Sequence, residues 1–303
     1  MRSPVALLGP TASGKSAVAM AAAGAVPGTE IVAVDAMQVY RGMDIGTAKP
    51  TVADRAAVVH HCLDLADPND EMSVTEFRRA YDEALLAIAA RAGCRALIVA
   101  GTGLYLTAAV DRLELPGVWP DVRATIEAEP DTAVLYTRLK DLDAPAAAKI
   151  DSANRRRIVR ALEVSMGSGQ PFSSFGPGVG AYPPTDVAQY GIRWPRAALA
   201  ERIDQRVAVM MTNGLLDEVA HLAAHGLSPT ARQALGYKEL LDHLDGLATL
   251  DEAVEAIVTR TRRLATRQER WFRRDPRIRW IDIDPAAADP LAEVRATVVD
   301  ALA

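Results

Sequence analysis

Gly9-Pro10-Thr11-Ala12-Ser13-Gly14-Lys15-Ser16 decides how this chain is read, because it satisfies G-x-x-x-x-G-K-[ST], the Walker A phosphate-binding pattern. Apolar Val5-Ala6-Leu7-Leu8 before it predicts a buried strand, and Ser16-Ala17-Val18-Ala19-Met20-Ala21-Ala22-Ala23 after it predicts a helix. Strand, glycine turn and helix in that order aim the loop's backbone N–H groups and a helix N-terminus at one anion. Gly9 through Ser16 therefore form a candidate di- or triphosphate cradle, with Lys15 supplying a point charge and the Ser16 hydroxyl a ligand for Mg2+.

Outward from the loop, Glu30-Ile31-Val32-Ala33-Val34-Asp35 reads as a second buried strand ending in a carboxylate. Ligands of open parallel sheets sit beyond the carboxyl ends of the strands, so Asp35 is expected near the phosphate loop. Residues 36–50 follow neither the helical nor the strand period and read as a structured loop with one helical turn. Val58 to Leu65 predicts a short third strand, closed by a turn at Asp67-Pro68-Asn69-Asp70. Ser73-Val74-Thr75-Glu76 is a capping box for a helix with Val74, Phe77, Tyr81, Leu85 and Ile88 on one face. Cys94 to Ala100 predicts another strand, and the turn Gly101-Thr102-Gly103 brings Thr102 to the same edge as Asp35 and Lys15. The fold class expected is α/β, a P-loop NTPase-like core with a parallel sheet flanked by helices.

From Leu115 the pattern changes to helices with acidic and Pro-rich joints, so residues 115–186 read as a mostly helical insertion between core segments 1–114 and 187–303. Inside it, Arg156 and Arg160 share one helical face while Ile158 and Leu162 turn to another. A Gly-, Pro- and Ser-rich loop from Gly167 to Pro184 leads back to a strand over Val187 to Trp194. Arg202 and Arg206 then share a polar flank of a helix whose apolar stripe is Leu199, Ile203, Val207 and Met210. A last long helix opens with the capping box Thr249-Leu250-Asp251-Glu252 and gathers Arg260, Arg262, Arg263, Arg267, Arg270, Arg273 and Arg274, with Trp271 and Phe272 interleaved. That is the footprint expected of a nucleic-acid face. Arg279 to Ile283 predicts the final strand.

Half of the 303 residues are apolar, enough for a substantial core in one large domain or two modest ones. No run of 18 uncharged apolar residues occurs, and Met1-Arg2-Ser3 leads straight into the first strand, so neither a membrane span nor a cleavable signal peptide is expected. A cytoplasmic location follows. Cys62 and Cys94 are too few for a disulfide framework, and His60-His61-Cys62 reads as buried strand in preference to a metal site. The net charge of −5 alone argues against a polyanionic partner, but the uneven arginines argue for one.

Three functions compete on these residues. A small-molecule kinase would use Asp35 to take a proton from a hydroxyl. A transferase would hold a diphosphate leaving group on the loop and receive its acceptor on a polynucleotide, and only this reading uses the arginines. A regulatory NTPase or nucleic-acid adaptor needs the loop but not Asp35 and Thr102, and no Walker B carboxylate beyond Asp35 stands out.

Taken together, GPTASGKS (9–16), DAMQVY (35–40), RGMDIGTAKP (41–50), GTGLYL (101–106) and RIVRALEV (157–164) resemble the bacterial tRNA dimethylallyltransferases, or tRNA isopentenyltransferases, from the first strand to about Arg274. The resemblance implies transfer of a dimethylallyl group from dimethylallyl diphosphate to N6 of adenosine 37 in tRNA, with Mg2+, by a P-loop core whose helical insertion grips the anticodon stem-loop. It also implies that Asp35 is the base, Thr102 a donor to diphosphate oxygen and Arg206 a diphosphate-binding arginine, with Lys15 completing the catalytic set. Asp35, Ala36, Met37, Gln38, Thr102, Arg123, Arg156, Arg157 and Arg160 would contact the tRNA. Ala100 stands where the family more often has glycine, a difference of one methyl group. A monomer is expected, and an adenylate prenyltransferase acting on free nucleotide is the nearest alternative.

Overall fold

The computed structural model describes residues 3–113, 115–176 and 178–303. In chain order β1 (Val5–Leu8), α1 (Lys15–Ala25), β2 (Thr29–Val34), α2 (Val52–Ala57), β3 (His60–His61), α3 (Val74–Ala89), β4 (Arg95–Ala100) and α4 (Gly103–Val110) come first. Then come α5 (Pro120–Glu127), α6 (Thr132–Leu142), α7 (Ala144–Lys149) and α8 (Arg155–Ser168). The chain ends with β5 (Ala188–Arg193), α9 (Arg196–Thr212), α10 (Leu215–His225), α11 (Pro229–Arg232), α12 (Tyr237–Leu244), α13 (Leu250–Phe272), β6 (Arg279–Asp282) and α14 (Ala292–Leu302).

The six strands form one sheet in the order β3-β2-β4-β1-β5-β6, and every pairing is parallel. A parallel sheet is covered on both faces, which is why β1 (VALL) and β2 (TEIVAV) are buried at every position and do not alternate. The fold is the expected α/β sheet flanked by helices. Its register decides where chemistry can happen: Leu8 at the end of β1 and Val34 at the end of β2 are both paired with Ala100 at the end of β4. The segments 9–16, 35–38 and 101–103 must therefore emerge side by side.

Residues Arg112–Ala181 form a compact unit of their own, and the chain on either side of them forms the other. In the smaller unit α5 to α8 pack around Ile126, Leu135, Leu139, Ile158 and Leu162, all fully or almost fully buried.

The third strand is shorter than the apolar run 58–65 suggests. Only His60 and His61 pair with β2, because the backbone turns left-handed at Cys62 (φ 62°) and again at Asp64 (φ 54°), which ends the ladder. Burial pushes the Cys62 thiol up to about 12, so it acts as a small apolar side chain. The 36–50 loop consists of turns without a helical segment, and the last strand stops one residue before Ile283.

Two side chains hold that loop in shape. Lys49, whose side chain has no exposed surface, donates to the Tyr40 carbonyl at 2.6 Å and pairs with Asp44 and Asp64, each at 2.7 Å. Glu218 on α10 accepts from the backbone N–H groups of Asp44, Ile45 and Gly46 at 3.0, 2.7 and 3.2 Å, and from the Tyr237 hydroxyl at 2.5 Å. Gly46 is a packing requirement, since a Cβ there would run into the edge of the buried Tyr237 ring that Glu218 pins in place. Gly46→Ala should lower the unfolding free energy in denaturant titration by about 1–3 kcal/mol, the usual cost of overpacking. Parent-like stability would mean that the ring retreats freely.

Candidate functional site

The segments that follow β1, β2 and β4 open onto one cavity of about 400 Å3. Thr11, Lys15 and Ser16 line it from the first segment, Asp35, Met37 and Gln38 from the second, and Gly101 from the third. Arg206 reaches it from α9, beside the apolar side chains of Val207, Met210, Ile257 and Leu264. A second cavity of about 720 Å3 shares Arg206 and Met210 in its wall.

The phosphate loop is held by its carbonyls. Lys15 Nζ donates to the Pro10 carbonyl at 2.8 Å, Arg202 Nε to that of Ala12 at 2.8 Å, and Trp194 Nε1 to that of Ser13 at 3.0 Å. The Arg202 guanidinium also lies over the Trp194 ring, 4.4 Å from its centroid. With these acceptors satisfied, the N–H groups of α1's first turn, which have no intrahelical partner, remain available to an anion. Gly14 has φ 93°, and a Cβ there would also press on Leu291, so no larger residue fits.

Electrostatically the cavity is cationic, and its two cations are partly desolvated. Desolvation, followed by the neighbouring Arg206 charge, lowers Lys15 to about 7, with Asp35 opposing. Burial also lowers Arg206, again against Asp35.

Asp35 is oriented through one oxygen only. Its Oδ1 accepts from the backbone N–H groups of Met37 at 2.8 Å and Gln38 at 3.4 Å. Its Oδ2 faces Gly101, where a Cβ would stand only 3.3 Å away, so glycine keeps that oxygen unobstructed. Thr102 Oγ1 accepts from the Ala36 N–H at 3.1 Å, which leaves the hydroxyl proton to be donated elsewhere. Gln38 donates its side-chain nitrogen to the Thr47 and Ala48 carbonyls at 3.1 and 3.3 Å. The next glycine of the turn, Gly103, is required because the Trp271 ring lies where its Cβ would be.

The donor set fits a hard divalent ion held largely by its ligand. Ser16 is exposed at the start of α1 and shares the cavity with Asp35, one hydroxyl and one carboxylate. Among the described residues no group of three or more His, Cys, Asp or Glu side chains could hold a metal. Mg2+ is commonly bound in this way, through one or two protein groups with substrate phosphates and water.

The remaining expected residues, Arg123, Arg156, Arg157 and Arg160, lie in the smaller unit, and they divide by environment. Arg156 and Arg157 are exposed and make no ion pair among the described residues. Arg160 is committed to the protein: it donates to Glu163 at 2.8 Å and to the Pro116 and Gly117 carbonyls at 2.8 and 2.9 Å. Glu163, 1% exposed, also accepts from the Trp119 N–H at 2.9 Å and pairs with Arg123 at 3.5 Å, while Arg123 Nε donates to Glu127 at 3.0 Å.

On α13 the arginines divide in the same way. Arg260 pairs with Glu239, Arg262 with Asp204 and Arg273 with Glu269. Arg263, Arg267 and Arg270 are exposed at helical spacing with no ion pair among the described residues. The interleaved aromatics serve the fold: Phe272 is buried, and Trp271 packs on Gly103 and donates to Thr107 Oγ1 at 3.5 Å. Phe272 is thereby withdrawn from any nucleic-acid face, and Trp271 is partly buried.

The IPP transferase family profile matches residues 38–275. A tRNA dimethylallyltransferase of Kineococcus radiotolerans is 48% identical over 298 residues, covering 95% of this chain and 92% of that one. The chain belongs to the IPP transferase family. A tRNA dimethylallyltransferase of Streptomyces coelicolor is 44% identical over 98% of this chain and 95% of its own length. Among solved structures, the full-length tRNA isopentenylpyrophosphate transferase of Bacillus halodurans is similar over 100% of this chain and 97% of its own, at 35% identity and a TM-score of 0.72. A eukaryotic dimethylallyltransferase, seen in crystallographic snapshots acting on tRNA, reaches a TM-score of 0.81 at 26% identity, over 98% of this chain and 78% of its own.

Sequence reasoning missed Gln268, Trp194 and Arg202 as supports of the site. Gln268 carried a signal, since Ile257, Thr261, Leu264 and Gln268 recur at helical spacing and all line the cavity, so a polar side chain continues an inward stripe.

Because Lys15 is lowered to about 7 in the free protein, it is mostly uncharged at pH 8.5, and a bound diphosphate would restore its proton. Calorimetry with inorganic diphosphate at that pH, in buffers of different ionisation enthalpy, should record proton uptake that Lys15→Met abolishes. Affinity should fall as pH rises above about 7, by up to roughly tenfold per unit. Equal uptake by parent and variant would assign the proton elsewhere.

Proposed function

We propose that this chain transfers the dimethylallyl group of dimethylallyl diphosphate to N6 of adenosine 37 in tRNA, giving N6-(dimethylallyl)adenosine and diphosphate. The observation that carries this reading is the cavity in which Lys15 and Arg206 face Asp35 beside an apolar wall. A kinase would need the cationic end and the carboxylate, but the apolar surface of Val207, Met210, Ile257 and Leu264 suits a C5 hydrocarbon.

In this mechanism the diphosphate sits on the Gly9–Ser16 loop, with Lys15 and Arg206 against its oxygens. As the allylic C–O bond breaks, its electron pair leaves with the diphosphate, and those cations stabilise the charge that develops. The Thr102 hydroxyl, which accepts from Ala36, is free to donate to a diphosphate oxygen. N6 of the adenine forms the new C–N bond. Its proton passes to the unobstructed Asp35 Oδ2, while Oδ1 stays anchored on the Met37 and Gln38 amides. The Ser16 hydroxyl would hold Mg2+, which would supply further charge neutralisation on the leaving group. The adenine must leave its stack to reach the cavity, so recognition of an unpaired loop is the natural mode. Arg156 and Arg157 in the smaller unit and the α13 stripe in the larger one are exposed cations for the RNA backbone, and Arg123 and Arg160 shape the surface of the smaller unit. The protein acts as a cytoplasmic monomer, and among its described residues no helix is long and apolar enough to cross a membrane.

Incubation with radiolabelled dimethylallyl diphosphate should label tRNA and leave AMP unlabelled. Label entering AMP alone would make the protein an adenylate prenyltransferase, and γ-phosphoryl transfer from ATP would make it a kinase. Asp35→Asn keeps the shape but cannot take up the N6 proton, so its single-turnover rate should fall by roughly 10²- to 10⁴-fold with little change in tRNA affinity. Lost tRNA binding with an unchanged chemical rate would make Asp35 a recognition residue.

Affinity for tRNA should fall steeply with salt, at a slope of about −0.7 to −0.9 per phosphate contact. Replacing Arg156 and Arg157 by Ala should flatten the slope by roughly 1–2 and leave diphosphate affinity unchanged. A parent slope near zero would remove the arginines from RNA binding.

A further inference from the structure

Gln268 makes two hydrogen bonds of opposite sense, one as acceptor and one as donor. Its Oε1 accepts from the Thr11 N–H at 2.9 Å, and its Nε2 donates to the Gly101 carbonyl at 2.8 Å. Thr11 belongs to the phosphate loop after β1, and Gly101 begins the turn after β4 that carries Thr102 and faces Asp35 Oδ2. β1 and β4 are hydrogen-bonded neighbours up to Leu8 and Ala100, but past those residues the ladder ends and the two turns have no backbone pairing to fix their separation. One amide from α13, itself lining the cavity, spans the gap.

We propose that Gln268 is a positioning residue for prenyl transfer, setting the distance between the loop that holds the leaving group and the turn that carries Thr102 and faces Asp35, the base that meets the acceptor. The role rests on reading the cavity as the prenyl-transfer site. It requires a side chain that accepts at one end and donates at the other, which an amide does and a carboxylate does only when protonated. The chemistry is sensitive to this spacing because a displacement of about 1 Å can cost on the order of 10²-fold in rate. Binding of diphosphate alone rests chiefly on the Gly9–Ser16 loop, Lys15 and Arg206, with only the Thr102 hydroxyl drawn from the second turn, and should be less affected.

The test compares parent, Gln268→Met and Gln268→Glu in three measurements: single-turnover transfer to tRNA, calorimetric affinity for inorganic diphosphate, and thermal unfolding. Gln268→Met should lose roughly 10²-fold in transfer rate while diphosphate affinity stays within about threefold, a split that a loosened fold would not give. Gln268→Glu, divided by the parent rate at each pH so that the parent's own titrations cancel, should recover as pH falls and the carboxyl regains its donor. A Gln268→Met rate equal to the parent's would overturn the role, as would a Gln268→Glu ratio that does not change with pH. Parallel losses of rate, diphosphate affinity and melting temperature would also overturn it and make Gln268 a fold residue. A parent that binds diphosphate but never labels tRNA would instead overturn the function proposed for the cavity.

Discussion

Two cations have to be held together where water is scarce, and much of the core is arranged around that constraint. Lys15 and Arg206 repel, and desolvation disfavours the charge on each, as the lowering of both groups records. Asp35 is the only opposing charge among the named causes. An arrangement of this kind is unfavourable when empty and is relieved by an anion of matching charge, which is how a site prefers diphosphate to neutral ligands. The repulsion is borne by neighbours that cannot yield easily: the sheet register at Leu8, Val34 and Ala100, and the Arg202 and Trp194 donors on the carbonyls of Ala12 and Ser13.

The same logic explains why the segment from Arg41 to Pro50 is so distinctive. Its lysine and second glycine lie in the wall of the cavity, and each answers a specific demand from elsewhere in the chain. Lys49 is buried only because two carboxylates and a carbonyl surround its ammonium. Gly46 is small because Tyr237 occupies the space, and Tyr237 is fixed because Glu218 binds both its hydroxyl and the loop's amides. In consequence Thr47 and Ala48 present their carbonyls to Gln38, three residues past Asp35. The motif is a mould for the wall opposite the phosphate loop.

The parts of this structure that could be read from the sequence are those fixed by neighbours along the chain. Capping boxes at Ser73 and Thr249 placed α3 and α13, and apolar runs placed five of the six strands. The end of β3 was not legible, because the left-handed turns at Cys62 and Asp64 serve the distant Lys49 and Arg55, which hold Asp64 at 2.7 and 2.5 Å. For the same reason Asp35, Lys15 and Arg206 stood out in the sequence while Gln268 and Trp194 did not. Asp35 and Lys15 carry charge at motif positions and Arg206 carries it on the polar flank of an amphipathic helix, whereas the second group acts through neutral hydrogen bonds to backbone more than 160 residues away.

Net charge misleads here for a physical reason visible in single side chains. An arginine paired at close range with a carboxylate contributes little field at a distance, so Arg260, Arg262 and Arg273 balance acids of the fold and leave a partner little to bind. Arg160 keeps its charge but has its donors committed to Glu163 and two carbonyls. Among the described residues, Arg156 and Arg157 on α8 and Arg263, Arg267 and Arg270 on α13 are exposed and make no ion pair. Because counterion release counts contacts made and not total charge, a chain of net charge −5 is fully compatible with salt-sensitive RNA binding.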